Sequence, residues 1–123
     1  MDSKECADLH ISETERFISE AKRKLQEGDL RQASEKIWGA MALAVKAHAL
    51  KKHGRRLTSH RELWEYKEKI VSELGEWFRV AWQLASNMHV NFYEGWARTE
   101  DVRLALKEAE KSVTEIKRRI MRI

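Results

Sequence analysis

The chain has 123 residues, a length that suits one domain with a single hydrophobic core. It contains no proline, five glycines and one cysteine, which excludes an intramolecular disulfide framework and argues against a β-rich protein. Its 24 basic and 20 acidic residues give a formal net charge of +4, which is compatible with nucleic-acid binding without demonstrating it.

Apolar residues recur at helical spacing, and no β-branched runs with turn pairs are visible. We therefore predict an all-α protein, an antiparallel bundle of four to five helices in one domain spanning residues 1–123. The N-terminus lacks the apolar run of a signal peptide, and no stretch approaches the about 20 apolar residues of a membrane span. We expect a cytoplasmic protein without membrane association. The many Lys, Arg and Glu residues are compatible with a thermophilic source.

The first helix is predicted over residues 12–27. Residues 1–10 are polar, and we expect them to be loosely ordered. Ser12 and Glu15 have the spacing of a capping box, which satisfies free amides at the start of a helix. Gly28 can adopt the left-handed conformation that ends one.

The second helix is predicted over residues 30–52, with Asp29 as its N-cap. Between residues 37 and 50 it is apolar on almost every side, which predicts burial on every side. Such a helix lies at the centre of the bundle or against a second subunit. The residues expected at that dimer interface are Trp38, Ala42, Val45 and Ala49. His48 is expected to be a core or boundary histidine with its hydrogen bonds satisfied.

A basic segment follows the second helix, which Gly54 is expected to end. Its cations could contact phosphate groups, or they could be a solvated helix end that complements the helix dipole. The residues in question are Lys51, Lys52, Arg55 and Arg56. Ser59 and Glu62 then repeat the capping-box spacing, which predicts a third helix over residues 60–72.

Two more helices are predicted after a break at Gly75. The fourth covers residues 76–96, with Gly95 able to stop it. The fifth is capped by Thr99, and its apolar stripe continues to Ile120.

The fourth helix carries a stripe of polar and aromatic residues beside its apolar face. His89 and Tyr93 lie one turn apart on it, and Asn91 lies on the other shoulder of the apolar face. Aromatic rings can stack a base, and histidine can carry a proton near neutral pH. The candidate ligand-binding residues are Trp82, His89, Asn91, Tyr93 and Trp96. The alternative is that this stripe packs on a neighbouring helix or a second subunit.

Several kinds of catalytic and cofactor site are absent from the sequence. There is no glycine-rich phosphate loop, no HExxH motif and no pair of cysteines for zinc. Cys6 and His10 are four residues apart, but no convincing second pair of ligands accompanies them. We expect neither a metal nor another cofactor.

Three segments carry a family resemblance. Residues 33–50 form the alanine-rich helix with the letters ASEKIWGA and AHAL, and residues 59–63 read SHREL. Residues 85–94 are similar to an LH-x-NFYE signature, with Met88 where leucine is usual. Over roughly residues 12–118 the chain resembles the HEPN superfamily of helical domains, in particular its archaeal PaREP-type branch. The resemblance implies an antiparallel bundle, often a homodimer, that binds nucleotide or RNA or a nucleotidyltransferase-type partner encoded nearby.

Ribonuclease members of this superfamily carry an arginine separated from a histidine by four to six residues. His89 matches that histidine, but residues 82–84, at the arginine positions, are Trp, Gln and Leu. Arg55 and His60 have the required spacing, although they precede the third helix rather than lying in a late one. The candidate catalytic residues are therefore His89, His60 and Arg55, with Arg79 as a further cation for phosphate charge.

Three functions fit these observations. We favour a non-catalytic HEPN-like module that dimerises and binds nucleotide, RNA or a partner protein. The first alternative is a metal-independent endoribonuclease that uses histidine for acid–base chemistry. The second is a purely structural interaction protein, in which the aromatic stripe is an interface.

Overall fold

The computed structural model describes residues 2–121, which form five helices in one antiparallel bundle. The helices are α1 (Ser3–Gln26), α2 (Leu30–His53), α3 (His60–Leu74), α4 (Glu76–Glu94) and α5 (Thr99–Ile120). The prediction of an all-α bundle is confirmed. None of the helices in the described part of the chain is both long enough and apolar enough to cross a membrane.

Helix α1 begins at Ser3, so the expectation of a loose segment over residues 1–10 is wrong for residues 3–10; Met1 lies outside the described residues. Asp2 caps the helix by accepting a hydrogen bond of 2.8 Å from the Glu5 amide. The physical reason for the early start is that Ala7 is fully buried, so the first turns also pack on the bundle. The polar side chains of this segment lie mainly on the side of the helix that faces solvent.

Helix α2 is the centre of the bundle and contacts each of the other four helices. Val45 and Ala49, expected at a dimer interface, are 0% exposed within a single chain, and Trp38 is only 7% exposed. Ala42 is half-buried. Most of the helix is therefore covered by its own chain, and one side that includes Ala42 is only half-buried. Three of these four residues cannot form a dimer interface while the chain keeps this fold.

The ion pairs between helices give their relative directions. Lys51 near the end of α2 pairs with Asp8 near the start of α1 at 3.5 Å. On α5, Lys117 pairs with Glu15 of α1 at 2.8 Å, which makes these helices antiparallel as well. Such exposed pairs contribute little free energy, about 0–1 kcal/mol each, but they confirm the register.

Arg79 bridges the break between α3 and α4, and its guanidinium is engaged there in ion pairs with two carboxylates. Its guanidinium donates to both carboxylate oxygens of Glu68, at 2.6 and 2.8 Å, and to Glu76 at 2.8 Å. Arg79, and then Lys67, lower the pKa of Glu68 to about 2. This arginine lies close to the start of α4, whereas His89 lies near its end, so it is not available to hold a phosphate beside that histidine.

His48 is a core histidine with both ring nitrogens bonded, as predicted. Its Nδ1 lies 2.7 Å from the hydroxyl of Tyr66, and its Nε2 lies 2.9 Å from the Glu73 carboxylate. Because a carboxylate accepts hydrogen bonds, Nε2 carries the proton and Tyr66 donates to Nδ1. Burial lowers the pKa of His48, and the nearby Glu73 acts in the opposite direction.

Candidate functional site

Three rings from three different helices form a stack at one side of the bundle. The ring of His60 lies parallel to that of Trp38, with centroids 5.9 Å apart and an interplanar angle of 2°. The ring of His89 lies 5.5 Å from Trp38 and 5.9 Å from His60. Trp38 belongs to α2, His60 is the first residue of α3, and His89 is in α4. We call this group the histidine cluster and include Glu35 and Tyr93, which contact His89.

Glu35 fixes the orientation of His89. Its Oε1 atom lies 2.9 Å from Nδ1 of the imidazole, and the two side chains are 32% and 31% exposed. Because the carboxylate accepts, Nδ1 carries the proton, and Nε2 of the neutral ring keeps its lone pair for another partner. Glu35 precedes Trp38 by one helical turn, so one face of α2 supplies both residues. The local sequence gives no signal for Glu35 as a site residue, since its partner lies on another helix.

Tyr93 extends the cluster onto the surface. Its ring meets that of His89 edge-on, with centroids 5.6 Å apart, and the residue is 64% exposed. Trp96, in the segment after α4, is 49% exposed. Both predicted site residues are therefore accessible to a ligand.

Arg31 holds the end of α4, where Tyr93 is located. Its Nε donates to the Phe92 carbonyl at 2.8 Å, and a second guanidinium N–H donates to the Tyr93 carbonyl. These carbonyls belong to the last turn of the helix, where a cation also complements the helix dipole. Gly95 ends α4 with φ +66, and Arg31 Cδ lies 3.3 Å from where a Cβ would stand, so a side chain is unfavourable there.

Two predicted ligand-binding residues lie in the core instead. Asn91 is 0% exposed; it donates to Ser34 Oγ at 2.9 Å and accepts from the Ala97 amide at 2.7 Å. Trp82 is also 0% exposed and packs edge-on against Trp38, with ring centroids 5.2 Å apart. Its indole nitrogen has no hydrogen-bond partner among residues 2–121. Neither side chain can reach a surface ligand, because the buried face of α4 is wider than the predicted stripe and includes both of its shoulders.

The cations of the basic segment have separate surroundings. Arg55 lies 3.7 Å from the Glu62 carboxylate and 5.8 Å from the Tyr66 ring, contacts that do not include the histidines. Lys51 pairs with Asp8, while Lys52 is exposed. The Arg55–His60 spacing therefore does not correspond to a catalytic pair in the fold, although His60 and His89 are brought together.

A small cavity lies against the histidine cluster. It has a volume of about 180 Å³, and its lining includes Trp38, His60, Lys46 and Thr58. An exposed imidazole beside a lysine can bind an anion and exchange a proton with it. Within residues 2–121, no three His, Cys, Asp or Glu side chains are arranged to hold a metal ion.

The fold occurs in a solved structure from an archaeal source. A crystal structure of a protein from Sulfolobus solfataricus is similar to this chain with a TM-score of 0.75 and 24% sequence identity. The match covers 85% of this chain and 92% of that chain, and at this identity it shows the fold alone. Among curated proteins, none matches the chain. The model of the archaeal PaREP1/PaREP8 family matches residues 9–113, so this protein belongs to that family.

Proposed function

We propose that this protein binds a nucleotide unit, free or within RNA, against the histidine cluster, as a HEPN-like module. The observation that supports this most strongly is the stack of Trp38, His60 and His89, which three helices hold in place. Tyr93 presents an open ring next to it, and base–aromatic stacking is worth about 1–3 kcal/mol per base. The formal net charge of +4 favours a polyanion over a cation as ligand.

Within this proposal each accessible residue has a distinct part. Tyr93 and the outer face of His60 stack bases, and Nε2 of His89 offers one hydrogen bond that Glu35 has oriented. Lys46, in the cavity beside His60, meets the phosphate group. Asn91 and Trp82 are left out of this site because they are buried.

A homodimer is part of the same proposal, but its interface must differ from the one expected from the sequence. Trp38, Val45 and Ala49 are covered within one chain. The exposed apolar side chains of α4 include Val80 and Val90, 58% and 42% exposed, and they offer another surface. Light scattering on the intact protein would measure the oligomeric state directly.

A second candidate function, metal-independent RNA cleavage, is favoured by the adjacency of His60 and His89. One imidazole can take the proton of a ribose 2′-hydroxyl while the other donates a proton to the leaving 5′-oxygen. The 2′-oxygen then bonds to phosphorus, and the products are a 2′,3′-cyclic phosphate and a 5′-hydroxyl. Glu35 would keep His89 in the tautomer that has a free Nε2.

The experiment that tests both functions measures binding and cleavage of a labelled single-stranded RNA in EDTA at two salt concentrations. The variants are His89→Ala and His60→Ala, with His53→Ala as control because His53 is an exposed histidine outside the histidine cluster. Salt-dependent binding weakened at least tenfold in the two cluster variants, and not in the control, is the expected result.

The products of the same reaction decide between the two functions. Cleavage by the wild type that disappears in both cluster variants would make the protein a ribonuclease. Absence of both binding and cleavage, with free nucleotides also failing to bind, would overturn the proposal and favour a protein partner such as a nucleotidyltransferase.

A further inference from the structure

We infer that a second cavity, formed by His10, Lys46 and Arg56, is a phosphate-binding pocket that adjoins the histidine cluster. The inference rests on the proposed function for its ligand class, since the phosphate would belong to an RNA backbone or to a nucleoside phosphate. The pocket involves a residue of α1, His10, which has no part in the histidine cluster.

The pocket has a volume of about 350 Å³, and three parts of the chain supply its polar lining. His10 comes from α1, Lys46 from α2, and Arg56 and Thr58 from the segment between α2 and α3. The remaining lining is apolar and consists of Leu43, Leu50 and Leu57. Cations beside an apolar wall act in a lower effective dielectric, which strengthens their attraction for an anion.

Neither cation of this pocket pairs with a carboxylate in the described part of the chain, and the carboxylate that Thr58 contacts, Glu62, lies 3.7 Å from Arg55. Among residues 2–121, the neighbouring ion pairs use Lys51 and Arg55, and neither Lys46 nor Arg56 takes part in one. The Arg56 guanidinium donates to the Cys6 sulfur at 3.9 Å. Two unpaired cations that face one cavity leave an excess of positive charge, and an anion would relieve it.

The excess positive charge also affects the pKa of His10. Burial lowers its pKa, and the positive charges of Lys46 and then Arg56 lower it further. These three groups therefore act on one another across the pocket. A bound phosphate would reverse this effect, because a nearby negative charge favours the protonated imidazole. His10 would then add a third donor to the anion.

The position of the pocket connects it to the histidine cluster. Lys46 and Thr58 line this pocket and also line the smaller cavity that contains Trp38 and His60. Lys46 and Thr58 would thus form a shared wall between a phosphate held by Arg56 and His10 and the cavity that contains His60. The hydroxyl of Thr58 is held by donation to Glu62 at 2.8 Å, so this wall is fixed.

The test uses inorganic phosphate as the probe and the Cε1–H signal of His10 in NMR spectra of the full chain. We expect a saturable shift of that signal in the wild type and a rise in the titration midpoint of His10 when phosphate is bound. Arg56→Gln and Lys46→Gln should each weaken phosphate binding at least tenfold. Lys107→Gln removes the same charge from an exposed position on α5 and should not change it. Absence of a saturable shift, or an equal loss in the Lys107 variant, would overturn the inference.

RNA-binding measurements on the same variants distinguish this inference from the proposed function and identify the source of the phosphate. Arg56→Gln should weaken RNA binding while leaving the histidine cluster intact. If the wild type binds RNA and Arg56→Gln does not weaken it, the pocket inference is wrong and the proposed function stands. If phosphate fills the pocket but RNA does not bind, the pocket stands and the proposed function is wrong. Oligonucleotides with and without a 5′-phosphate distinguish a terminal phosphate from a backbone phosphate.

Discussion

The imidazoles of His60 and His89 lie against each other, with centroids 5.9 Å apart, although they belong to different helices. Only the packing of α3 and α4 on Trp38 brings them together. Two imidazoles at this distance can share one ligand, and a change on any of the three helices should alter how they do so.

The first prediction concerns the hydrogen bond between Glu35 and His89. In Glu35→Gln the side-chain amide can donate as well as accept, so Nδ1 of His89 is no longer obliged to carry the proton. We expect long-range ¹H–¹⁵N NMR spectra to show the Nδ1–H form in the wild type and a mixture of tautomers in the variant. Glu94→Gln, an exposed change on α4, is the control. Unchanged tautomers in the Glu35 variant would show that the carboxylate does not orient the ring.

The second prediction is that Asn91 stabilises the fold rather than a ligand. Asn91→Ala removes the acceptor of the Ala97 amide and the donor to Ser34, both of which are in the interior. Leaving such groups unpaired costs about 1–3 kcal/mol each, so the free energy of unfolding should fall by at least about 1 kcal/mol. Chemical denaturation measures this, with the exposed Asn87→Ala as a control expected to change it by less than about 0.5 kcal/mol. Equal effects in both variants would contradict the structural role.

The third prediction concerns Trp38, which the sequence placed at a dimer interface. Because Trp38 is 7% exposed and stacks with two histidines, Trp38→Asp should unfold the chain rather than dissociate a dimer. Removing a large core side chain typically costs about 3–5 kcal/mol, and a buried charge adds to that. Ala42→Asp on the half-buried side of α2 should remain folded. Circular dichroism and light scattering of both variants provide the measurement, and a folded, monomeric Trp38→Asp protein from a dimeric wild type would reverse this interpretation.

The fourth prediction is a pH dependence that originates at His48. Burial lowers its pKa in the folded state below the ordinary value of 6.5, so the unfolded chain takes up the proton more readily. The stability associated with the neutral ring is complete above pH 6.5 and is lost as the pH falls from there through the lowered pKa. His48→Gln should be less stable than the wild type at pH 8, and its stability should fall less between pH 7 and 5. Parallel denaturation curves for the two proteins over this interval would contradict the assignment.

The sequence predicts several helix ends correctly, because their signals are local. The predicted caps at Ser12 and Thr99 are wrong, since α1 begins at Ser3 and the N-cap of α5 is Arg98. Asp29 accepts from the Gln32 amide at 3.1 Å, and Ser59 accepts from the Glu62 amide at 3.1 Å, as their capping patterns predict. Gly54 and Gly95 end their helices with φ values of +62 and +66. These features depend on residues within four positions of one another, so the local sequence contains the information.

The predictions that are wrong or incomplete for the site concern contacts between helices. The sequence placed Trp82 and Asn91 at opposite borders of the buried face of α4, and both are inside because neighbouring helices cover a wider face than the apolar stripe. His89 and His60 were each named as candidates, but their adjacency depends on the packing of α3 and α4. Glu35 was missed as a site residue for the same reason, because its hydrogen bond crosses from α2 to α4.

The central position of α2 also determines which backbone amides exchange slowly with solvent. An amide in a helix that packs on four other helices exchanges its hydrogen only when several helix contacts are broken together. Residues of α2 should therefore be among the last to exchange, at rates set by global unfolding, while the ends of α1 and α5 exchange through local fraying. Glu35 and Trp38 lie on that slowly exchanging helix, so two of the five residues of the histidine cluster are anchored to the part of the protein that opens least often.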